Sequence, residues 1–156
     1  MKRFNVLVVP AMIALASLGL TAQSVDPEGF AMWTADELQS YAKSIRMPNA
    51  GTLPRRGGQF GALILRDDKN GPFEMHEGRH DIYFVVTGEG ILTVGGTLIE
   101  AKATAVGEIR GTAIQGGVKK RIGPGDIVLI PARMVHHLAT EPGKDMTYFL
   151  MKLDAK

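Results

Sequence analysis

The sequence predicts an all-β fold, an antiparallel barrel of the jelly-roll type, with one short helix ahead of it. Three observations carry this expectation. About ten short runs rich in β-branched and aromatic residues follow one another at close spacing, each bounded by turn residues. Glycine is abundant, at 19 of 156 residues against a typical ~7%, as many tight turns require. No strand–helix alternation appears, which argues against a parallel α/β architecture.

The first 22 residues stand apart from that fold. Lys2 and Arg3 make a positive start, Val6 to Leu20 is an uncharged apolar run, and Leu20-Thr21-Ala22 offers a small-residue cleavage site. This is the layout of a secretory signal peptide. The run is shorter than the roughly 20 residues a membrane span needs. The expected product is exported, periplasmic or secreted, with no stable membrane anchor after cleavage. Residues 23–58 then read as a lead-in with a helix, and residues 59–156 as the barrel domain.

The leader also carries the charge imbalance. Two of the 18 basic residues and none of the 16 acidic ones lie within it, leaving the remainder balanced at 16 against 16. The longest basic cluster is Lys119-Lys120-Arg121. Neither feature supports nucleic-acid binding. Cysteine is absent, so disulfides, thiol ligands, thiol nucleophiles and lipid attachment through Cys are excluded. An exported domain of this kind relies on its core, a metal or a homodimer interface.

Within residues 23–58, Thr34-Ala35-Asp36-Glu37 reads as a helix start, with Thr34 as cap and Glu37 three residues on. Leu38, Tyr41, Ala42 and Ile45 continue it as one apolar stripe, and Pro48 and Gly51 end it. Phe60 to Arg66 is the first expected strand, closed by the turn cluster Asp67 to Gly71. Phe73 to His76 and Asp81 to Thr87 come next. Ile91 to Val94 and Thr97 to Glu100 flank Gly95-Gly96 as an expected hairpin. Ala101 to Gly117 reads as an extended loop with a strand fragment near Glu108 to Ile114. Val118 to Ile122, Ile127 to Ile130, His136 to Thr140 and Met146 to Leu153 complete the set.

Two stretches carry chemistry. Gly71 to Gly90 places Glu74, His76, His80 and Asp81 around one hairpin mouth, and Gly123 to His137 brings a further imidazole. Alternation along a strand puts Glu74 and His76 on one face. It sets Asp81, Tyr83 and Val85 against His80, Ile82, Phe84 and Val86, and it separates His136 from His137. Imidazoles with one or two carboxylates suit a divalent transition metal such as Fe, Mn, Ni or Zn. Whether Asp81 or His80 completes the set stays open. Tyr83, on the Asp81 face, is a candidate catalytic proton donor. Arg66, Arg110 and Gln115 are candidates to reach a substrate.

These two stretches resemble the two motifs of the cupin superfamily. In the first, Asp81, six residues and Gly88 match the Glu-to-Gly half with Asp for Glu. Counting back sets His76 at the second His and Glu74 at the first. In the second, Gly125, five residues, Pro131 and then His136 keep the motif's spacing, with Arg133 for Gly and Thr140 for Asn. The resemblance spans about Phe60 to the C-terminus. It implies a double-stranded β-helix barrel holding one divalent metal on His76, Asp81 and His136, with Glu74 as a further ligand. A register slip would put His80 in place of Asp81, giving three histidines and a lean toward zinc.

The function this implies is a metal-dependent enzyme on a small organic molecule, with dioxygenase-like chemistry first and lyase or isomerase chemistry on the same fold. The alternatives are a metal-free cupin that binds a sugar or other small ligand without turnover, and a structural dimer.

Overall fold

The computed structural model of the chain describes residues 30–46, 61–67 and 71–156. The expected signal peptide, the start of the lead-in and the helix stop at Pro48 and Gly51 lie outside them. Helix α1 spans Ala35–Ser44 and opens with the expected capping box. The Glu37 N–H donates to Thr34 Oγ1 at 3.2 Å, and the Thr34 N–H donates to the Glu37 carboxylate at 2.8 Å. Two otherwise orphaned amides are satisfied, which fixes the helix start. Its stripe of Leu38, Tyr41, Ala42 and Ile45 packs on Leu63, Val86 and Phe149. No helix among the described residues is long and apolar enough to cross a membrane.

Twelve strands come after it among the described residues: β1 (Ala62–Arg66), β2 (Phe73–His76), β3 (Arg79–Gly88), β4 (Gly90–Val94), β5 (Thr97–Ile99), β6 (Lys102–Ala105), β7 (Glu108–Gly111), β8 (Ala113–Gln115), β9 (Val118–Ile122), β10 (Ile127–Ile130), β11 (His136–Ala139) and β12 (Met146–Asp154). One sheet has the order β1-β12-β3-β10, a second β6-β7-β2-β11-β4-β9, and β5 pairs with β8 alone. Every pairing is antiparallel. The two larger sheets make the expected jelly-roll barrel.

The core lies between those sheets. Tyr83, Val85, Ile130, Met146 and Tyr148 come from the four-stranded side, and Leu92, Ile122 and Leu138 from the other. Burying each aliphatic side chain contributes about 1.5–3 kcal/mol, so these alternating positions set which face of each strand turns inward. On the outer face of the four-stranded sheet, Phe84, Ile127 and Leu129 are exposed. They run to β10, an edge strand of that sheet.

Two expectations are corrected. The β4–β5 hairpin does not form: β4 is flanked by β11 and β9, and β5 by β8. Gly95 and Gly96, both at positive φ, turn a corner between sheets. The stretch from Ala101 to Gly117 is more ordered than a loop, because β6 and β7 pair around Gly107. All four residues of β6 are exposed, so no apolar alternation marks it.

Two turns shape the ends of the motif stretches. At Gly88 φ is +69°, and a Cβ there would collide with the Asp145 carbonyl oxygen, so the turn between β3 and β4 requires glycine. Arg133 has φ 65°, at the position where the cupin motif has glycine. Its N–H donates to the His76 carbonyl at 2.7 Å, tying the β10–β11 loop to β2. A non-glycine residue in this region costs about 1 kcal/mol. Arg133→Gly is therefore expected to raise stability by about that amount in urea denaturation; a lowered midpoint would show instead that the arginine side chain stabilises the loop.

Candidate metal centre

The site is assembled by cross-strand register. The β2–β11 pairing sets His136 opposite Glu74. The β2–β7 pairing sets Glu108 opposite His76 and Arg110 opposite Glu74. The β3–β12 pairing sets Lys152 opposite Asp81. Directly opposed residues of antiparallel strands hold their Cβ atoms about 4.5–5.5 Å apart. Each register pair therefore becomes a side-chain pair, and the inward faces bring the pairs together.

One ligand atom from each of Glu74, His76 and His136 lies within 4.8 Å of the others. Asp81 joins them, with Oδ2 3.3 Å from His76 Nε2 and 3.7 Å from His136 Nε2. Glu74 Oε1 is also 3.7 Å from His136 Nε2. The imidazoles are oriented from behind. His136 Nδ1 is 3.1 Å from the Met134 carbonyl oxygen, so this nitrogen carries the proton and donates. His76 Nδ1 lies 2.7 Å from Glu108 Oε2, off the N–H axis but close enough to favour the proton there. Glu108 is held in turn by Arg79 at 2.8 Å. Both Nε2 atoms are thereby left as lone pairs facing the group.

The environment makes this arrangement demanding. Asp81 and His136 are each 1% exposed and His76 is 4% exposed. His136 Nε2 is buried and has no hydrogen-bond partner. A lone pair facing two carboxylates across 3.7 Å is unfavourable unless a cation lies between them. Two imidazole nitrogens and two carboxylates are a donor set for a divalent transition ion, so the residues present fit the metal that the resemblance implies.

Sequence reasoning missed two members. Lys152 Nζ lies 2.8 Å from both His76 Nε2 and Asp81 Oδ1, and Glu108 supports His76. Lys152 shares its strand face with Tyr148 and Leu150, all three lining the cavity; alternation along Met146 to Leu153 was the available signal. Glu108 lay in the stretch read as mostly loop.

The other candidates divide between the cavity and the surface beyond it. Tyr83 faces inward beside Asp81, packed on Tyr148 with ring centroids 4.5 Å apart. His80 does not join the group: alternation turns it to the opposite face from Asp81, and its Nδ1 accepts the Ala132 N–H at 3.0 Å. His137 likewise turns away and stacks on Phe73 at 3.9 Å. The cavity beside the ligands measures about 300 Å³ and is also lined by Arg66 and Arg110. Gln115 lies apart, exposed on β8. A smaller cavity of about 240 Å³ near Arg121 and Lys144 holds no imidazole, and its Arg121 is engaged by Glu89 and Glu141.

The two motif stretches, on β2–β3 and β10–β11, thus meet at one cavity in a jelly-roll barrel, as the cupin resemblance implied. No protein-family model matches the chain, and no curated protein does. Solved structures do. A Photorhabdus luminescens protein is 17% identical over 65% of this chain and 70% of its own, with a TM-score of 0.44. The DMSP lyase DddQ from Ruegeria pomeroyi is 19% identical over 60% of this chain and 38% of its own, at 0.39. A putative sugar phosphate isomerase from Acidithiobacillus ferrooxidans is 15% identical over 64% and 53%, at 0.42. The chain thus spans about half or less of the last two. Likeness at this level says nothing about activity, which has to be read from this chain's own residues.

Charge in the site is tightly coupled. Burial pushes the Glu74 carboxyl up, but the pull of His136, His76 and Arg110 outweighs it and holds the group below its ordinary value. Asp81 is likewise raised by burial and lowered more by His76 and Lys152. Burial lowers His76, and Asp81 outweighs that to raise it. Burial drives the Tyr83 phenol well above its ordinary value, so it stays protonated. The lowered carboxyls stabilise the ion-free fold above their ordinary values of 4.5 and 3.8, and that contribution is lost as pH falls through their folded values. The raised imidazole stabilises it below 6.5, and that is lost as pH rises through its folded value. Denaturation of ion-free protein is therefore expected to show greatest stability between about pH 4.5 and 6.5. Stability that keeps climbing toward about pH 8 would contradict this.

Proposed function

We propose that the protein is a mononuclear metal-binding cupin, exported by its leader, that acts as an enzyme on a small organic acid. The observation that carries the metal is the buried Nε2 lone pair of His136, directed at Glu74 and Asp81 with no partner. Glu74, His76, Asp81 and His136 would hold the ion. When bound, it supplies a Lewis acid with positions open to substrate.

The residues around it define the rest. Arg66, Arg110 and Lys152 line the cavity together with Glu74, Asp81 and Glu108. Three cationic and three anionic side chains balance, and a divalent ion tips the sum positive, which favours an anionic ligand. Arg66 is buried and its guanidinium donates to the Tyr148 hydroxyl at 2.8 Å, which fixes it against the cavity wall. Tyr83, kept neutral by burial, is placed to donate a hydrogen bond to a developing negative charge. A cavity of about 300 Å³ suits a small molecule.

A second reading is a metal-free cupin that binds a small ligand without turnover. Lys152 favours it, because its ammonium already sits on His76 and Asp81. Metal analysis separates the two. After incubation with Fe²⁺, Mn²⁺, Ni²⁺ or Zn²⁺, the enzyme reading expects one ion per chain, with affinity weakened by more than about tenfold in His136→Ala. Folded wild-type protein that retains none of these ions would sink it.

A further inference from the structure

We propose that Lys152 is a tethered cation that holds the ligand set together in the ion-free protein and releases His76 when a metal ion enters, so that loading is an exchange of one cation for another. The inference rests on the metal reading above and concerns what competes with the ion.

Each nitrogen and oxygen in the group has a limited number of lone pairs. With its proton on the Glu108 side, His76 offers a single one, on Nε2. That atom lies 2.8 Å from Lys152 Nζ. It can accept from the ammonium or bind a metal, not both. Asp81 is different, since its two oxygens face different neighbours. Oδ1 is 2.8 Å from Lys152 Nζ, whereas Oδ2 faces His76 at 3.3 Å and His136 at 3.7 Å. Oδ2 would be the oxygen that helps hold an ion among the imidazoles, with Oδ1 left to the lysine. Only the His76 contact has to break.

The ion-free state needs this lysine. The Asp81 carboxylate is 1% exposed, and a buried charge without a counter-ion is strongly unfavourable. Lys152 supplies the counter-ion from the directly opposed position on β12. It can also withdraw. Its side chain is 30% exposed, on a flexible four-carbon stem. Glu108, which lines the same cavity from β7, offers a second anion. A retained positive charge close to the ion weakens metal binding, and removing it strengthens binding.

The test uses the full chain and Zn²⁺ as probe, by calorimetric titration together with thermal unfolding of ion-free and Zn²⁺-loaded protein. Lys152→Met should bind Zn²⁺ at least about tenfold more tightly than wild type. It should melt lower than wild type without the ion, and its melting temperature should rise more when Zn²⁺ is added. Lys152→Gln keeps a donor for Asp81 without the charge, so it tests the same point should the methionine variant fold poorly. Lys152→Arg keeps the charge and should not tighten binding. If wild type binds Zn²⁺ and the Met and Gln variants bind it equally or more weakly, the exchange is overturned while the metal reading stands. If wild type takes up no ion and the variants take up one per chain, Lys152 holds the site against metal without exchanging, and both the exchange and the metal reading are overturned. If neither takes up any, both are overturned.

Discussion

The structure depends on one electrostatic requirement: the buried Asp81 carboxylate, the partly exposed Glu74 carboxylate and two imidazoles, set face to face by strand register, need positive charge among them. Asp81 and Glu74 are placed by β3 and β2, and His136 by β11. None can leave without breaking the pairing that holds it. The apolar alternation that builds the core decides that these polar residues point inward. The hydrophobic effect thus fixes their positions, and their own chemistry then requires the counter-charge.

That requirement organises the surroundings. The Met134 carbonyl sets the proton of His136 on Nδ1, and Glu108 beside His76 Nδ1 favours the proton there, leaving the inner nitrogens as acceptors. Arg79 holds Glu108, and Arg110 lies 3.7 Å from Glu74. Lys152 supplies positive charge on the side of Asp81 turned away from His136. On the exchange proposed above, the core has two ways to be satisfied, with the lysine alone or with the lysine displaced from His76 by an ion. The difference between a metal enzyme and a metal-free binding module is then a difference in affinity at one set of atoms.

Much of this was legible in the sequence, for identifiable reasons. Period-two alternation separated His80 from Asp81 and His136 from His137, and the structure sends them to opposite faces. The capping box at Thr34 and Glu37 is a local signal, and α1 begins where it says. Motif spacing linked His76, Asp81 and Gly88, and the positive φ of Gly88 and Arg133 shows why glycine belongs at such turns. What was not legible depends on partners far along the chain. Nothing near Gly95 states that β4 is taken by β11 and β9, so a glycine pair that ordinarily makes a hairpin turns a corner. The exposed β6 leaves no apolar trace. Lys152 enters the site only through its register with Asp81, 71 positions earlier.

On the metal reading, a divalent ion is held by two imidazoles and at least one carboxylate inside the barrel. X-ray absorption spectroscopy of protein reconstituted with one equivalent of Zn²⁺ tests it most directly. The predicted result is a first coordination shell at about 2.0–2.2 Å, with outer-shell scattering from two imidazole rings and the remainder oxygen. A shell of oxygen alone, or of a single imidazole, would contradict it.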